Sequence, residues 1–230
     1  MAFARRRVVR HLRDHHSRHG RDGYVLQLDI KGYFAGISHE ILLARLSRAV
    51  PDARAREFVA HIVGRGGQGL SLRSETSQIL AVWLLSGIDH WCKEVLRLRC
   101  YARYMDDIYA VHPSRLYLRE CMATIRTMLA ELGLSVNERK TRVTPLRRGF
   151  TFLKVHYTLS ESGRVGRRYG RDGARRIRRK LRALGRKGVP PWKVRDEYQS
   201  WRKSVKKFDA DAAVRSADAA YRKHILKERL

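Results

Sequence analysis

Two adjacent carboxylates, Asp106 and Asp107, interrupt two short β-prone runs, Cys100–Tyr104 and residues 108–111. That arrangement predicts a hairpin with Met105-Asp106-Asp107 at its tip. Like charges side by side at the edge of a core repel each other and lose water. The plain structural compensation is a neighbouring cation, Arg103 or Arg99. A second strand offers another. Residues 24–30, YVLQLDI, alternate, with Tyr24, Leu26, Leu28 and Ile30 on one face and Val25, Gln27 and Asp29 on the other. Asp29 therefore falls near a strand end, turned away from the more apolar face. Strand-borne carboxylates facing one cleft suit hard cations such as magnesium, which take a few carboxylates plus water and phosphate oxygens. Two such ions serve in-line phosphoryl transfer, and a rigid β platform keeps their spacing.

The rest of the chain supports a mixed α+β fold. Residues 5–20 form a basic helix ended by Gly20, and its His11, His15 and His19 at i, i+4 spacing read as a solvated helix face. Ser38 caps a helix carrying Leu42 and Leu46, Pro51 stops it, and another helix covers 52–63. Thr76, Leu80, Trp83, Trp91, Val95 and Leu98 recur at helical spacing, which predicts one long buried helix over 75–98. Leu118, Met122, Ile125, Leu129 and Leu132 mark an amphipathic helix closed by Gly133. A strand near 141–145 and a hairpin around 150–167, turning at Glu161-Ser-Gly163, complete the β part. Pro190-Pro191 divides a mostly helical remainder.

Charge narrows the function. The chain of 230 residues carries 50 Lys and Arg against 22 Asp and Glu, a net +28. A surplus this large opposes folding, and a polyanion such as nucleic acid relieves it. The excess concentrates from residue 160 onward, with 23 Lys and Arg against 8 Asp and Glu. No apolar run approaches the ~18 residues a membrane span needs. Cys92, Cys100 and Cys121 lack metal or disulfide spacing and fit free thiols in a reducing cytoplasm. The basic N-terminus has no apolar secretory stretch.

The ordered motifs resemble those of bacterial retroelement reverse transcriptases: retrons, diversity-generating elements and group II introns. Tyr24-Val-Leu-Gln-Leu-Asp-Ile-Lys-Gly-Tyr-Phe34 and Tyr101-Ala-Arg-Tyr-Met-Asp-Asp107 resemble the two catalytic motifs. Gly69-Leu-Ser-Leu-Arg-Ser-Glu-Thr-Ser-Gln78 resembles the substrate-pocket motif. Leu134-Ser-Val-Asn-Glu-Arg-Lys-Thr141 and Gly149-Phe-Thr-Phe-Leu153 resemble the motifs that finish the palm, and Tyr198-Gln-Ser-Trp201 a thumb motif.

The resemblance implies a polymerase palm, an antiparallel sheet packed on helices, over 24–158. It implies a remnant of fingers over 1–23 and a basic helical thumb over 159–230. It implies RNA-directed DNA synthesis from dNTPs on an RNA template, with a DNA or RNA primer. Two magnesium ions, or manganese in their place, would be held by Asp29, Asp106 and Asp107, with the Ile30 carbonyl as an added ligand. Phe34 would exclude a ribonucleotide 2′-hydroxyl, while also packing in the core. Arg73, Gln78 and Lys140 would meet the incoming nucleotide, although Lys140 by itself reads as a solvated strand-end lysine.

Three departures stand out. Ser71 and Arg73 replace a proline and a glycine of the pocket motif, and Lys154 replaces a glycine in the primer-grip motif. Most of the family's fingers has no counterpart before Tyr24, so a partner supplying them is one expectation. A truncated, weak or inactive RNA-binding remnant is the alternative function. Lys154, Arg167, Arg168, Arg175, Arg176, Arg178, Arg179 and Lys180 form the expected nucleic-acid surface, whose phosphate contacts give affinity without sequence choice. A basic structural protein would explain this charge but not the acids at a hairpin tip.

Overall fold

The computed structural model describes residues 2–64, 67–72, 74–205, 208 and 210–227. The chain divides into two compact units, Met1–Arg147 and Arg148–Leu230. In the first, strands β1 (Tyr24–Asp29), β2 (Cys100–Tyr104), β3 (Asp107–His112) and β4 (Arg142–Pro145) form an antiparallel sheet in the order β2-β3-β1-β4. The hairpin and the Asp29 strand are thus direct neighbours.

Both faces of this sheet are covered. Leu26, Leu28, Ile30, Ile108 and Ala110 lie in the main core. Helices α3 (His39–Ala49), α5 (Glu75–Leu84) and α7 (Arg115–Ala130) contribute Leu42, Leu80 and Leu118 to it. On α7, Leu118, Cys121, Ile125 and Leu129 are buried, one per turn, and Gly133 takes the left-handed φ of 68° that closes the segment. Serine or aspartate side chains cap four helices: Ser38, Asp52, Ser74 and Ser114 each accept a backbone N–H three residues on. Asp52 starts α4 (Ala53–Val63).

Helix α1 (Ala2–His19) contacts β2 and β3, so its histidines are not the solvated face expected of them. His11 and His15 are buried, with Val8 and Leu12 beside them in the sequence equally so. The Nδ1 of His11 shares a hydrogen bond of 2.9 Å with the Tyr109 hydroxyl, and His15 Nε2 donates to the Asp22 carbonyl at 2.6 Å. Only His19 is exposed. Burial supplies these rings with partners that helical spacing cannot reveal.

The long helix expected over 75–98 is broken. α5 ends at Leu84, α6 spans Ser86–His90, and a π-helical turn covers Trp91–Val95. Ser86-Gly87 follows the break, and glycine is a weak helix former. The apolar spacing was partly deceptive: Leu80 and Leu98 are buried, whereas Val95 is 62% exposed.

The second unit pairs a three-stranded sheet, β5 (Phe150–Phe152), β6 (Val155–Leu159) and β7 (Val165–Tyr169), with helices α8 (Arg171–Arg186), α9 (Pro191–Val205) and α10 (Asp211–Tyr221). Ile177, Leu181, Val194, Tyr198, Ala217 and Tyr221 form the helical core. Tyr198 stacks on Tyr221 at 4.5 Å, and its hydroxyl donates to Asp218 at 2.6 Å. Trp201 packs against Tyr198 and Tyr169, while Trp192 is 65% exposed. A side chain at Gly185 would collide with the His224 carbonyl, so only glycine lets α8 pass that segment.

Candidate active site

The sheet brings the three predicted aspartates to one end of the first unit. Asp29 and Asp107 are opposed residues of β1 and β3. Asp106 sits in the turn before β3, where its carbonyl accepts the Ile30 N–H at 3.2 Å. Met105, just before it, holds a left-handed φ of 55°. Adjacent aspartates therefore take different roles, one in the turn and one in the ladder.

The segment before β4 fastens onto the same end. Lys31 N–H donates to the Ser135 carbonyl at 2.8 Å, and Asn137 N–H to the Asp29 carbonyl at 2.7 Å. Ile30 bridges to Val136. The turn continues through Lys140 N–H and Thr141 N–H, both donated to the Asn137 carbonyl. It delivers Lys140 onto Asp29, where Nζ donates to both carboxylate oxygens at 2.8 and 3.0 Å. The cation against the acids is thus Lys140, and neither of the neighbouring arginines first considered. Arg103 is committed elsewhere: Nε donates to Asp89 at 3.0 Å and an Nη at 2.5 Å, while its other Nη reaches the Met105 carbonyl at 3.2 Å. Tyr101 also donates to Asp89, at 2.7 Å.

One ammonium does not neutralise three carboxylates. Burial first, then Asp106 and Asp29, push the Asp107 carboxyl up to about 6. Asp106 is raised as well, chiefly by burial and also by Asp29. Lys140 is raised by its hydrogen bond to Asp29. Divalent ions need oxygens that converge on one point. Among the described residues no three Asp, Glu, His or Cys side chains are grouped so as to hold an ion, and Lys140 takes both Asp29 oxygens. As arranged, these residues do not fit the two-ion centre that the sequence resemblance implies.

The other predicted residues separate into two sets. Phe34, on the short helix α2 (Tyr33–Gly36), is half-buried against the core and meets Tyr33 edge-on at 5.6 Å. Its carbonyl accepts Leu70 N–H at 2.7 Å, and the Ile37 carbonyl accepts Gly69 N–H at 2.8 Å. His39 Nε2 donates to the Gly69 carbonyl at 2.7 Å. The pocket loop is thereby pinned beside Phe34. Gln78 is exposed and donates to the Leu72 carbonyl at 3.2 Å. Arg73 lies outside the described residues.

In the second unit, Lys154 is exposed in a tight β5–β6 turn with Leu153 and Lys154 at φ 48° and 67°, the type I′ geometry. Arg167, Arg168, Arg175, Arg176, Arg178, Arg179 and Lys180 are all exposed. Arg178 donates to Ser216 at 2.8 Å, and Lys180 pairs with Glu197. Arg168, Arg175, Arg178 and Arg215 line a cavity of about 640 Å³. Sequence reasoning missed Asp89, Tyr101 and Arg103 as a group, because nothing local signals their union.

A sequence profile described as "Reverse transcriptase (RNA-dependent DNA polymerase)" matches residues 2–157. The chain belongs to the reverse transcriptase family. No curated protein matches it in sequence. Its fold is similar to the structure of telomerase from Candida albicans in complex with a TWJ fragment of telomeric RNA, with TM-score 0.58 and 12% identity. That match covers 97% of this chain and 49% of the telomerase chain. Apo telomerase from Candida tropicalis, truncated from its C-terminal domain, gives TM-score 0.53 and 12% identity over 73% of this chain and 40% of that one. This family member thus spans half or less of each telomerase chain, with an α+β architecture of the reverse transcriptase type. No described helix is long and apolar enough to cross a membrane.

Proposed function

We propose that this chain is a nucleic-acid-binding reverse transcriptase relative whose nucleotidyl transfer is weak or absent while Lys140 holds Asp29. The observation that carries this reading is the two-pronged contact of the Lys140 ammonium with both Asp29 oxygens. Held from the front in this way, the carboxylate keeps only its outer lone pairs for a divalent cation, and the ammonium's own charge repels one. The exposed cations of the second unit, from Lys154 to Lys180, form the nucleic-acid surface, and we take 159–230 as the thumb and 24–158 as the palm. Contacts of this kind bind phosphate and weaken steeply with salt. Filter binding of single-stranded RNA is expected to weaken by roughly 300-fold or more between 50 and 200 mM salt, if six or more phosphates are met. Primer extension on an RNA template with dNTPs and magnesium should stay near background. Robust extension by the unaltered chain overturns this reading.

The raised Asp107 and Asp106 favour a second one. Their uncompensated charge draws a cation, and a site that takes magnesium, or manganese, on displacing Lys140 would be an RNA-directed DNA polymerase of the bacterial retroelement kind. Its substrates would be dNTPs and a DNA or RNA primer on an RNA template, with Phe34 and Gln78 beside the nucleotide. In that case Asp106→Asn abolishes extension, whereas extension that survives this change rejects the metal role of the aspartates.

A further inference from the structure

The opposite end of β3 carries a second concave site. A cavity of about 470 Å³ opens there between α1, the loop before β2, the end of β3 and the start of α7. His112 lies five steps along the strand from Asp107, roughly 17 Å at ~3.3 Å per residue, so this cavity is remote from the aspartates. Its floor includes the buried Leu98, Cys100 and Val111, and its rim carries Arg18, Arg97 and Arg99. None of the three arginines has an ion pair among the described residues. The lone acid, Asp14, is paired with Arg10 at 3.8 Å. Guanidinium groups left without carboxylates around a recess are an anion site in charge and in shape.

The neutral side chains agree. His112 Nδ1 accepts the Ser114 N–H at 3.1 Å, which places the neutral ring's proton on Nε2 as a donor. Its ring lies 4.5 Å from that of Tyr117, also part of the lining. No described group of Asp, Glu, His or Cys suits a cation there. The volume exceeds what a bare phosphate fills and falls within the range of small-molecule sites, ~300–1,000 Å³.

We infer that this cavity binds a phosphate group on Arg18, Arg97 and Arg99, with space beside Tyr117 for a group attached to it. The inference is independent of the function proposed above. Two sources share this chemistry, free phosphate and a nucleotide.

Calorimetric titration of the full chain at fixed ionic strength, with inorganic phosphate and separately with AMP, tests it. Saturable one-to-one binding is expected. Arg97→Asn/Arg99→Ala should weaken it at least roughly tenfold; asparagine tolerates the left-handed backbone at residue 97, where φ is 50°. Arg18→Ala, on an exposed part of α1, should weaken it in the same direction and does not touch that loop. Arg48→Ala/Arg54→Ala, which removes equal charge from exposed positions elsewhere, should leave it unchanged. AMP binding about tenfold or more above phosphate assigns the nucleotide, and equal binding assigns free phosphate. Absence of saturable binding by both probes, or equal weakening in the Arg48/Arg54 control, overturns the inference.

Discussion

Two cation–carboxylate pairs hold the aspartate end of the first unit, and they are built in opposite ways. Arg103 is 5% exposed and Asp89 31%. Lys140 is 63% exposed and Asp29 only 11%. In the first pair the cation is buried and also fastens backbone, through the Met105 carbonyl and the Val82 carbonyl. In the second the acid is buried and the cation reaches it from solvent on a flexible stem. Removal of a buried cation leaves an uncompensated carboxylate and two orphaned carbonyls. Departure of an exposed lysine returns its own head to water at little cost, so the only penalty is the Asp29 carboxylate it leaves beside Asp106 and Asp107. The Arg103 pair therefore shapes the hairpin tip, while the Lys140 pair governs whether its acids are accessible.

The largest expected effect breaks the buried pair. Arg103→Ala should destabilise the first unit by about 3–5 kcal/mol, measured by urea denaturation. A loss below ~1 kcal/mol would place Arg103 among ordinary surface ion pairs and remove the contrast.

Next comes a buried group with no charged partner. His11 is held down to about 4, first by burial and then by Arg7. Its unfolded value near 6.5 lies higher, so between pH 6.5 and 4 the unfolded chain binds the extra proton. Stability should fall as pH drops through that window, by roughly 3 kcal/mol from this site, and His11→Gln should flatten the dependence. An unchanged slope in His11→Gln would show that burial does not set the scale here.

The smallest effect belongs to the exposed pair. Lys140→Ala should cost about 1–2 kcal/mol of stability, since it leaves the buried Asp29 carboxylate without its cation, and raise the proton affinities of Asp107 and Asp106 further, because Lys140 lowers both. Carbon-detected NMR titration of the carboxyls reads that shift directly. Movement in the opposite direction would show that Lys140 does not bear on them.

The sequence displayed whatever depends on neighbours a few residues apart. The strand alternation around Asp29, the hairpin at Met105, the cap at Ser38 and the stripe on α7 are local patterns, and each appears where expected. Pairings across long separations were hidden. Lys140 meets Asp29 over 111 residues, and Arg103 ignores the acids beside it for Asp89. The histidines of α1 looked solvated because the sheet that buries them is remote in sequence. The helix expected over 75–98 failed because apolar spacing persists across a break at Leu85. For the candidate site, the acids were legible and their counterion was assigned to the wrong side chain.

The most direct test of the central claim is manganese binding, followed by electron paramagnetic resonance on the unaltered chain and on Lys140→Ala. If Lys140 occupies Asp29, the unaltered chain binds manganese weakly and Lys140→Ala binds it about tenfold more tightly, with Asp29→Asn removing the gain. Tight binding of two manganese ions by the unaltered chain, unchanged in Lys140→Ala, would contradict the account.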